Sequence, residues 1–419
     1  MELKSCKKLY RKETHRVKSP EETFEIVSSL TEVAGITRIA DITKLDRLNI
    51  PVFSCIRPNA ADGAISVYNG KGVTTIAARV SAIMEGLERY SAELQSDDSL
   101  IVSSYPVLAE KYEILDPIEL ILPNTADPDA VIPWSVCYEL LLNETSLALE
   151  ELLVPAAAVY HPLPPQYYSI FRTGTNGIAS GNTNEEAIFH ALCEVIERDS
   201  WSICEAEKKA GRMIIDIDDS DISGLLHAFE DAGVAVILRD ITSDIGLPTI
   251  VAVSDDISLK DSALLCLGMG THSSPKIAAL RALTEVAQSR ATQIHGARED
   301  ATIADIRKQI GYERTKRLNA KWFDETETIR FSELKDASTD DFLDEIKHTV
   351  RLMNQVGLQT VIVKDLTRPE LSVPVVRVIV PGLESFAIDS SREGLRCKAA
   401  RSKSVKTRGG RIQKYIRET

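Results

Sequence analysis

The sequence predicts an α+β fold, with helices covering antiparallel sheets and an α/β alternation along the chain. Three observations lead there. First, a motif recurs: residues 35–57 read GITRIADITKLDRLNIPVFSCIR, residues 233–253 read GVAVILRDITSDIGLPTIVAV, and residues 357–380 read GLQTVIVKDLTRPELSVPVVRVIV. The shared anchors are Gly35/Asp41/Thr43/Pro51, Gly233/Asp240/Thr242/Pro248 and Gly357/Asp365/Thr367/Pro374. Second, each copy follows a segment of helical period, Pro20–Ala34, Asp221–Ala232 and Asp341–Val356. Third, the two β-branched runs of each copy lie too close in sequence for a crossover helix, so they pair antiparallel.

Within a copy, glycine is a natural helix stop because it reaches positive φ without a Cβ clash. Proline heads the second run, where a missing N–H costs little. Copies one and two share a continuation. A strand (Ala64–Tyr68) leads to a turn Asn69-Gly70-Lys71-Gly72 and a helix; a strand (Ala263–Leu267) leads to a turn Gly268–Thr271 and a helix. A third version lies mid-chain: strand Tyr167–Arg172, turn Gly174–Gly177, then a helix opened by Ser180-Gly181-Asn182, with Asn182 or Thr183 as N-cap. Residues 96–166, punctuated by prolines, read as short strands and loops, and residues 296–340 as charged helices and a connector. The segments expected are an N-terminal helix–strand–strand unit (1–61), a repeat-bearing core (62–391) and a basic C-terminal tail (392–419), the tail expected to be solvated.

The three helices carry related polar stripes: Ser81-x-x-x-Glu85-x-x-Glu88-Arg89, Glu186 with Glu194-x-x-Glu197-Arg198, and Arg281-x-x-x-Glu285-x-x-Gln288. At 100° per residue each stripe occupies one helix side, away from the apolar face. One such pattern reads as surface i,i+3 and i,i+4 pairing. Three of them, each behind a matching glycine-rich turn, point to helices converging on one metal–nucleotide site. Clustered carboxylates repel unless a cation sits among them. Mg2+ suits them, since it takes a few carboxylates and completes its shell with water and phosphate oxygens. Arg198 and Arg281, with Lys18 from the N-terminal stretch, would offset phosphate charge. His190 and Cys193 read as packing or supporting residues.

Other devices are excluded. There is no G-x-x-x-x-G-K-[ST], no third glycine after Gly268-x-Gly270, and no protein-kinase signature set. No Ser/His/Asp or Cys/His set can be assembled, so no catalytic nucleophile or base is assigned. The net charge of −13 conceals ten Lys/Arg against two Glu in the last 28 residues. The strongly acidic remainder would repel nucleic acid. No apolar run reaches the roughly 20 residues of a membrane span, and no secretory signal is visible. Seven cysteines without a C-x-x-C pair fit free thiols in a reducing cytosol, so a cytoplasmic location is expected.

Nearly the whole chain resembles the YcaO family. The resemblance is carried by Asn69-Gly70-Lys71-Gly72, Ser81/Glu85/Glu88/Arg89, Asn182-x-x-x-Glu186, Glu194/Glu197/Arg198, Arg281/Glu285 and PVVRVIVPGLE from Pro374 to Glu384. It implies a non-Walker ATP site with Glu85, Glu88, Glu186, Glu194 and Glu197 at Mg2+, and Glu285 at metal and phosphate. Ser81, Asn182, Arg198 and Arg281 would contact nucleotide, with Lys18 and Thr23 in a looser N-terminal segment. It also implies ATP-dependent activation of a peptide amide. GITRIADITKLDRLNIPVFSCIRP is similar to the methanogen YcaO group that thioamidates a glycine of the methyl-coenzyme M reductase α subunit, often with a TfuA partner. No proline follows Pro381, unlike the proline-rich ends of azoline-forming members. The expectation is thus thioglycine formation with Mg-ATP and a sulfide source; a homodimer is left open. The alternatives are an azoline-forming cyclodehydratase, an accessory member acting in ribosomal-protein modification, and a non-catalytic ATP-binding scaffold.

Overall fold

The computed structural model describes residues 1–143, 146–297, 302–324 and 327–404. The repeat appears as the same local structure three times. Arg38–Asp41 pairs antiparallel with Val52–Ile56, Ala235–Asp240 with Thr249–Asp255, and Ile362–Asp365 with Val375–Ile379. The recurring Asp and Thr build the connecting turn. Each aspartate accepts the threonine N–H: Asp41 from Thr43 at 2.9 Å, Asp240 from Thr242 at 3.1 Å, Asp365 from Thr367 at 2.9 Å. Each threonine hydroxyl then accepts the first N–H of the returning strand, from Val52, Thr249 and Val375 at 3.1, 3.1 and 3.3 Å. Gly35, Gly233 and Gly357 all sit at positive φ behind their helices. Those helices are α1 (Pro20–Val27, then a 3-10 turn), α4 (Ser220–Asp231) and α6 (Phe342–Gln355).

A third strand and a long helix complete each module. Val67–Lys71 pairs with Val52–Ile56 and feeds α2 (Thr75–Ala92); Leu267–Thr271 pairs with Thr249–Asp255 and feeds α5 (Pro275–His295). The third copy takes its strand from earlier in the chain: Ile178–Ser180 pairs with Val375–Arg377 and feeds α3 (Asn184–Glu207). The first sheet crosses residue 61, so segments 1–61 and 62–391 share it.

Two expectations are corrected here. The strand of the mid-chain version is Ile178–Ser180, not Tyr167–Arg172. The latter is an irregular stretch that buries Ile170 and Phe171, while the backbone groups of Ile178–Ser180 face an open sheet edge. Three of the glycines placed in turns, Gly70, Gly268 and Gly270, lie instead inside strands. A Cβ on Gly70 would stand 2.0 Å from the Ala82 nitrogen, and one on Gly270 would stand 2.1 Å from the Ala278 oxygen. Glycine is there so that helix backbone can lie directly on the strand, which brings the polar stripe close to the sheet.

Helix α3 packs its apolar side on Val363, Val376, Ile346 and Val350; α5 packs on Ile250, Ala252 and Phe229; α2 packs on Ile36, Cys55 and Tyr68. Residues 96–166 include longer strands than expected, a hairpin of Ile132–Leu142 and Leu147–Pro155. Prolines at its ends disguise it in sequence. All seven cysteines are buried and free, and burial pushes the Cys193 thiol up to about 12, as for a packing residue. Among the described residues no helix is long and apolar enough to cross a membrane.

The basic segment is docked as far as Ala400, against the expectation of a solvated tail; residues 405–419 lie outside the described residues. Arg396 donates to both oxygens of the fully buried Asp199, at 2.9 and 2.8 Å, and Glu384 accepts the N–H groups of Gly394 and Cys397, both at 2.8 Å. Asp199 directly follows Arg198 on α3, so this segment braces a site helix from behind. Arg396→Met would leave a buried carboxylate without its cation. A loss of roughly 3 kcal/mol is expected, read as a fall in the chemical-denaturation midpoint; an unchanged midpoint would show the brace to be idle.

Candidate active site

The three long helices start at equivalent points. Their N-caps are Thr74, Thr183 and Ser274, and the first two accept N–H groups from Ala77 and Glu186. Counted from those caps, Ser81, His190 and Arg281 share one level. Glu85, Glu194 and Glu285 share the next, and Glu88, Glu197 and Gln288 the one after. The stripes are therefore one pattern in register. All twelve sequence-nominated residues line two adjoining cavities that share Lys71, Ser81, Glu85, Glu88, His190 and Arg281.

One cavity, of about 190 Å³, has apolar walls from Val80, Met84 and Leu280 and meets Lys18, Thr23, Asn182 and Glu186 at its rim. The N-terminal segment is tied in there. Glu186 accepts from the Val17 N–H at 2.8 Å, Arg16 at 3.3 Å and the Asn182 N–H at 3.2 Å, and the Thr23 hydroxyl donates to Asn182 at 3.1 Å. The other cavity, of about 510 Å³, holds Glu194, Glu197, Arg198 and Glu285.

Charge in this second cavity is balanced but crowded. Arg89 donates to Glu85 at 3.0 and 2.6 Å, Arg198 lies 3.5 Å from Glu197, and Lys71 pairs with Glu285. Glu88 accepts the Ser180 N–H at 2.9 Å and hydroxyl at 3.1 Å. Burial, with Glu85 and Glu194 nearby, pushes the Glu88 carboxyl up to about 8. Burial likewise raises Glu194 and Glu197, against the pull of Arg198. Burial works to raise Glu285 too, but Lys71, Arg198 and Arg281 outweigh it and hold it below the usual range. Burial and Arg281 keep His190 neutral; its Nε2 accepts from Arg281 at 2.8 Å and fixes that guanidinium.

These observations bear on Mg2+. The donors are hard carboxylate oxygens, those of Glu88, Glu194 and Glu197 raised in proton affinity, while the buried Arg89 Nη1, without a hydrogen-bond partner, is a donor suited to phosphate. Among the described residues no three carboxylate, imidazole or thiol groups form a ready-made metal cage. Mg2+ that enters with a nucleotide needs only one or two carboxylates beside phosphate and water. The donor set fits such an ion.

Sequence reasoning named neither Lys71 nor Arg16 as a site residue. Lys71 lay in a quoted motif, and its alternation with Asn69 along the strand was the available signal. Arg16 becomes a neighbour of Glu186 only through the N-terminal path. Arg307, from the segment read as charged helices and a connector, also lines the polar cavity.

Comparison with known proteins fits this architecture. The family described as YcaO cyclodehydratase, ATP- and Mg2+-binding, matches residues 69–384. A protein of Methanothermobacter thermautotrophicus is 50% identical over 387 residues, spanning 91% of this chain and 98% of that one. A Rhizobium leguminosarum protein described as lying in the tfuA 3′ region is 32% identical over 385 residues, with 88% of each chain covered. The structure of YcaO from Methanopyrus kandleri bound with AMPPCP and Mg2+ has a TM-score of 0.77 and 29% identity, covering 93% of this chain and 98% of that one. Fold and site thus define an ATP- and Mg2+-using enzyme class. The chain belongs to the YcaO family.

Proposed function

We propose that the protein activates a peptide backbone amide with ATP and replaces its oxygen by sulfur, forming thioglycine in the methyl-coenzyme M reductase α subunit. The observation that carries the ATP half is the in-register convergence of Glu85, Glu194 and Glu285 with Arg198, Arg281 and Lys71 on one cavity. The sulfur half draws support from the relative described as lying beside tfuA, the 50% identical Methanothermobacter protein, and the similarity of residues 35–58 to the thioamidating group. A TfuA-like partner and a sulfide source belong to the same proposal.

The base would rest against Val80, Met84 and Leu280, and the phosphates would face Lys71, Arg198 and Arg281. Glu85, Glu88, Glu194 and Glu197, with Glu186 at the rim, are the carboxylates from which one or two would hold Mg2+, and the bound ion would supply charge neutralisation for the phosphates. The amide oxygen takes the terminal phosphoryl group, the bond to ADP breaks and the amide nitrogen gives up its proton. Hydrosulfide then adds to the carbon, the C–O bond breaks with phosphate as leaving group, and the proton carried by sulfur passes to nitrogen. Neutral His190 holds Arg281 in place through this sequence, and Ser180 fixes Glu88. The net change is amide, ATP and hydrosulfide to thioamide, ADP and phosphate.

The family's description as a cyclodehydratase favours a second reading, cyclodehydration, in which a neighbouring Cys, Ser or Thr attacks the activated carbon and the peptide loses the elements of water. Mass spectrometry of reductase α peptides from a deletion strain separates the two. The proposal expects the oxygen-to-sulfur mass increase to vanish from one glycine. Its retention would rule the proposal out.

A further inference from the structure

The polar cavity has a wall of a different character. Asn69, Gln288, Ser289, Thr292 and Gln293 offer neutral amides and hydroxyls, where most of the remaining lining is charged. Phosphates need cations, whereas a peptide backbone needs neutral donors and acceptors. Asn69 and Lys71 share a strand face, about 7 Å apart along it. Gln288 and Thr292 continue α5 beyond Glu285 by about one and two turns. The neutral wall is therefore the direct extension of the Lys71–Glu285 pair.

Asn69 is clamped at this wall. Its backbone oxygen accepts from the Gln288 side chain. Its Nδ2 donates to the Thr292 hydroxyl at 2.7 Å, and that hydroxyl donates its single proton to the Gln288 carbonyl at 2.6 Å. Thr292 can thus only accept from Asn69, which fixes the carboxamide: Nδ2 to Thr292, Oδ1 turned away. Asn69 is 4% exposed, and its Oδ1 is buried without a hydrogen-bond partner. A buried unpaired acceptor costs about 1–3 kcal/mol unless a ligand donor meets it.

We propose that Asn69 is the positioning residue for the peptide bond to be modified, its Oδ1 accepting the N–H of that bond. The assignment rests on the amide-activation reading above. A trans peptide points N–H and C=O in opposite directions. An acceptor on the N–H therefore turns the reacting oxygen away from Asn69, into the cavity whose remaining lining carries the Lys71–Glu285 pair. Asn69 does not itself exchange atoms with the substrate.

The test is peptide binding to the full-length protein with AMPPCP and Mg2+ present. Two probes are used: a reductase α peptide containing the target glycine, and the same peptide N-methylated on the amide nitrogen that follows the glycine carbonyl. Wild type is expected to bind the N-methyl peptide roughly tenfold more weakly. Asn69→Ala should bind both peptides with the weaker affinity and keep the wild-type affinity for AMPPCP. Thr292→Val, which retains the carboxamide but frees it to turn, should lose part of the discrimination. Full discrimination in both variants would overturn the assignment and leave the amide-activation reading standing. Failure of wild type to bind either peptide would overturn that reading and the assignment with it.

Discussion

Replacing Glu197 with Gln is expected to cut peptide-dependent ATP turnover by roughly a hundred- to a thousandfold, the scale for losing one charge-stabilising group in a dry site. The protein should still fold, and without nucleotide it should melt no lower than wild type. The second part follows from the crowding on α3. Burial holds Glu197 and Glu194 above the usual carboxylate range, and Glu285 adds repulsion to Glu197. A neutral amide of the same shape removes that repulsion while filling the same space. Functional sites carry such local costs, and relieving them commonly trades activity for stability. Turnover assays beside thermal melts would check this. A variant with full turnover would remove Glu197 from the site, and one that melts far lower would make it a structural residue.

Lys71→Met is the second large effect. Lys71 reaches from the first module to Glu285 of the second, and it is the strongest stabiliser of that carboxylate. Without it, Glu285 loses its main counter-charge and the phosphates lose a facing cation. A charged hydrogen bond contributes about 1.5–3 kcal/mol, so the nucleotide concentration for half-maximal turnover should rise roughly ten- to a hundredfold. Steady-state kinetics against ATP at saturating Mg2+ would show it. An unchanged KM for ATP would mean that Lys71 serves only to join the modules.

The repeat was legible because it is local. Asp41, Asp240 and Asp365 each close a turn with a threonine two residues on, a contact that needs no knowledge of the rest of the chain. The stripes were legible for a similar reason, since helical periodicity alone puts Glu85 beside Glu88 and Arg281 beside Glu285. What escaped was set by tertiary proximity. Gly70 and Gly270 look like turn residues in sequence, yet they serve strands that lie against helix backbone. The strand Ile178–Ser180 is only three residues long and is defined by a partner some 200 residues away. Arg396 and Asp199 are likewise distant in sequence, so a basic segment that reads as solvated is in part a brace.

The tie between the N-terminal segment and Glu186 gives Lys18 and Thr23 their place. Sequence alone offered only a loose motif for them. In the structure Thr23, Asn182 and Glu186 form a continuous hydrogen-bonded chain at the mouth of the apolar cavity. This arrangement ties the mouth of that cavity to α1, and so to the first module.

The most direct measurement is a reconstituted reaction of purified protein, a reductase α peptide, Mg-ATP and sulfide, following ADP and peptide mass in the same samples. The proposed function predicts one ADP per oxygen-to-sulfur replacement, with neither product formed when sulfide and any partner-supplied sulfur are withheld. ADP release accompanied by loss of water from the peptide, or with no change in its mass, would contradict it.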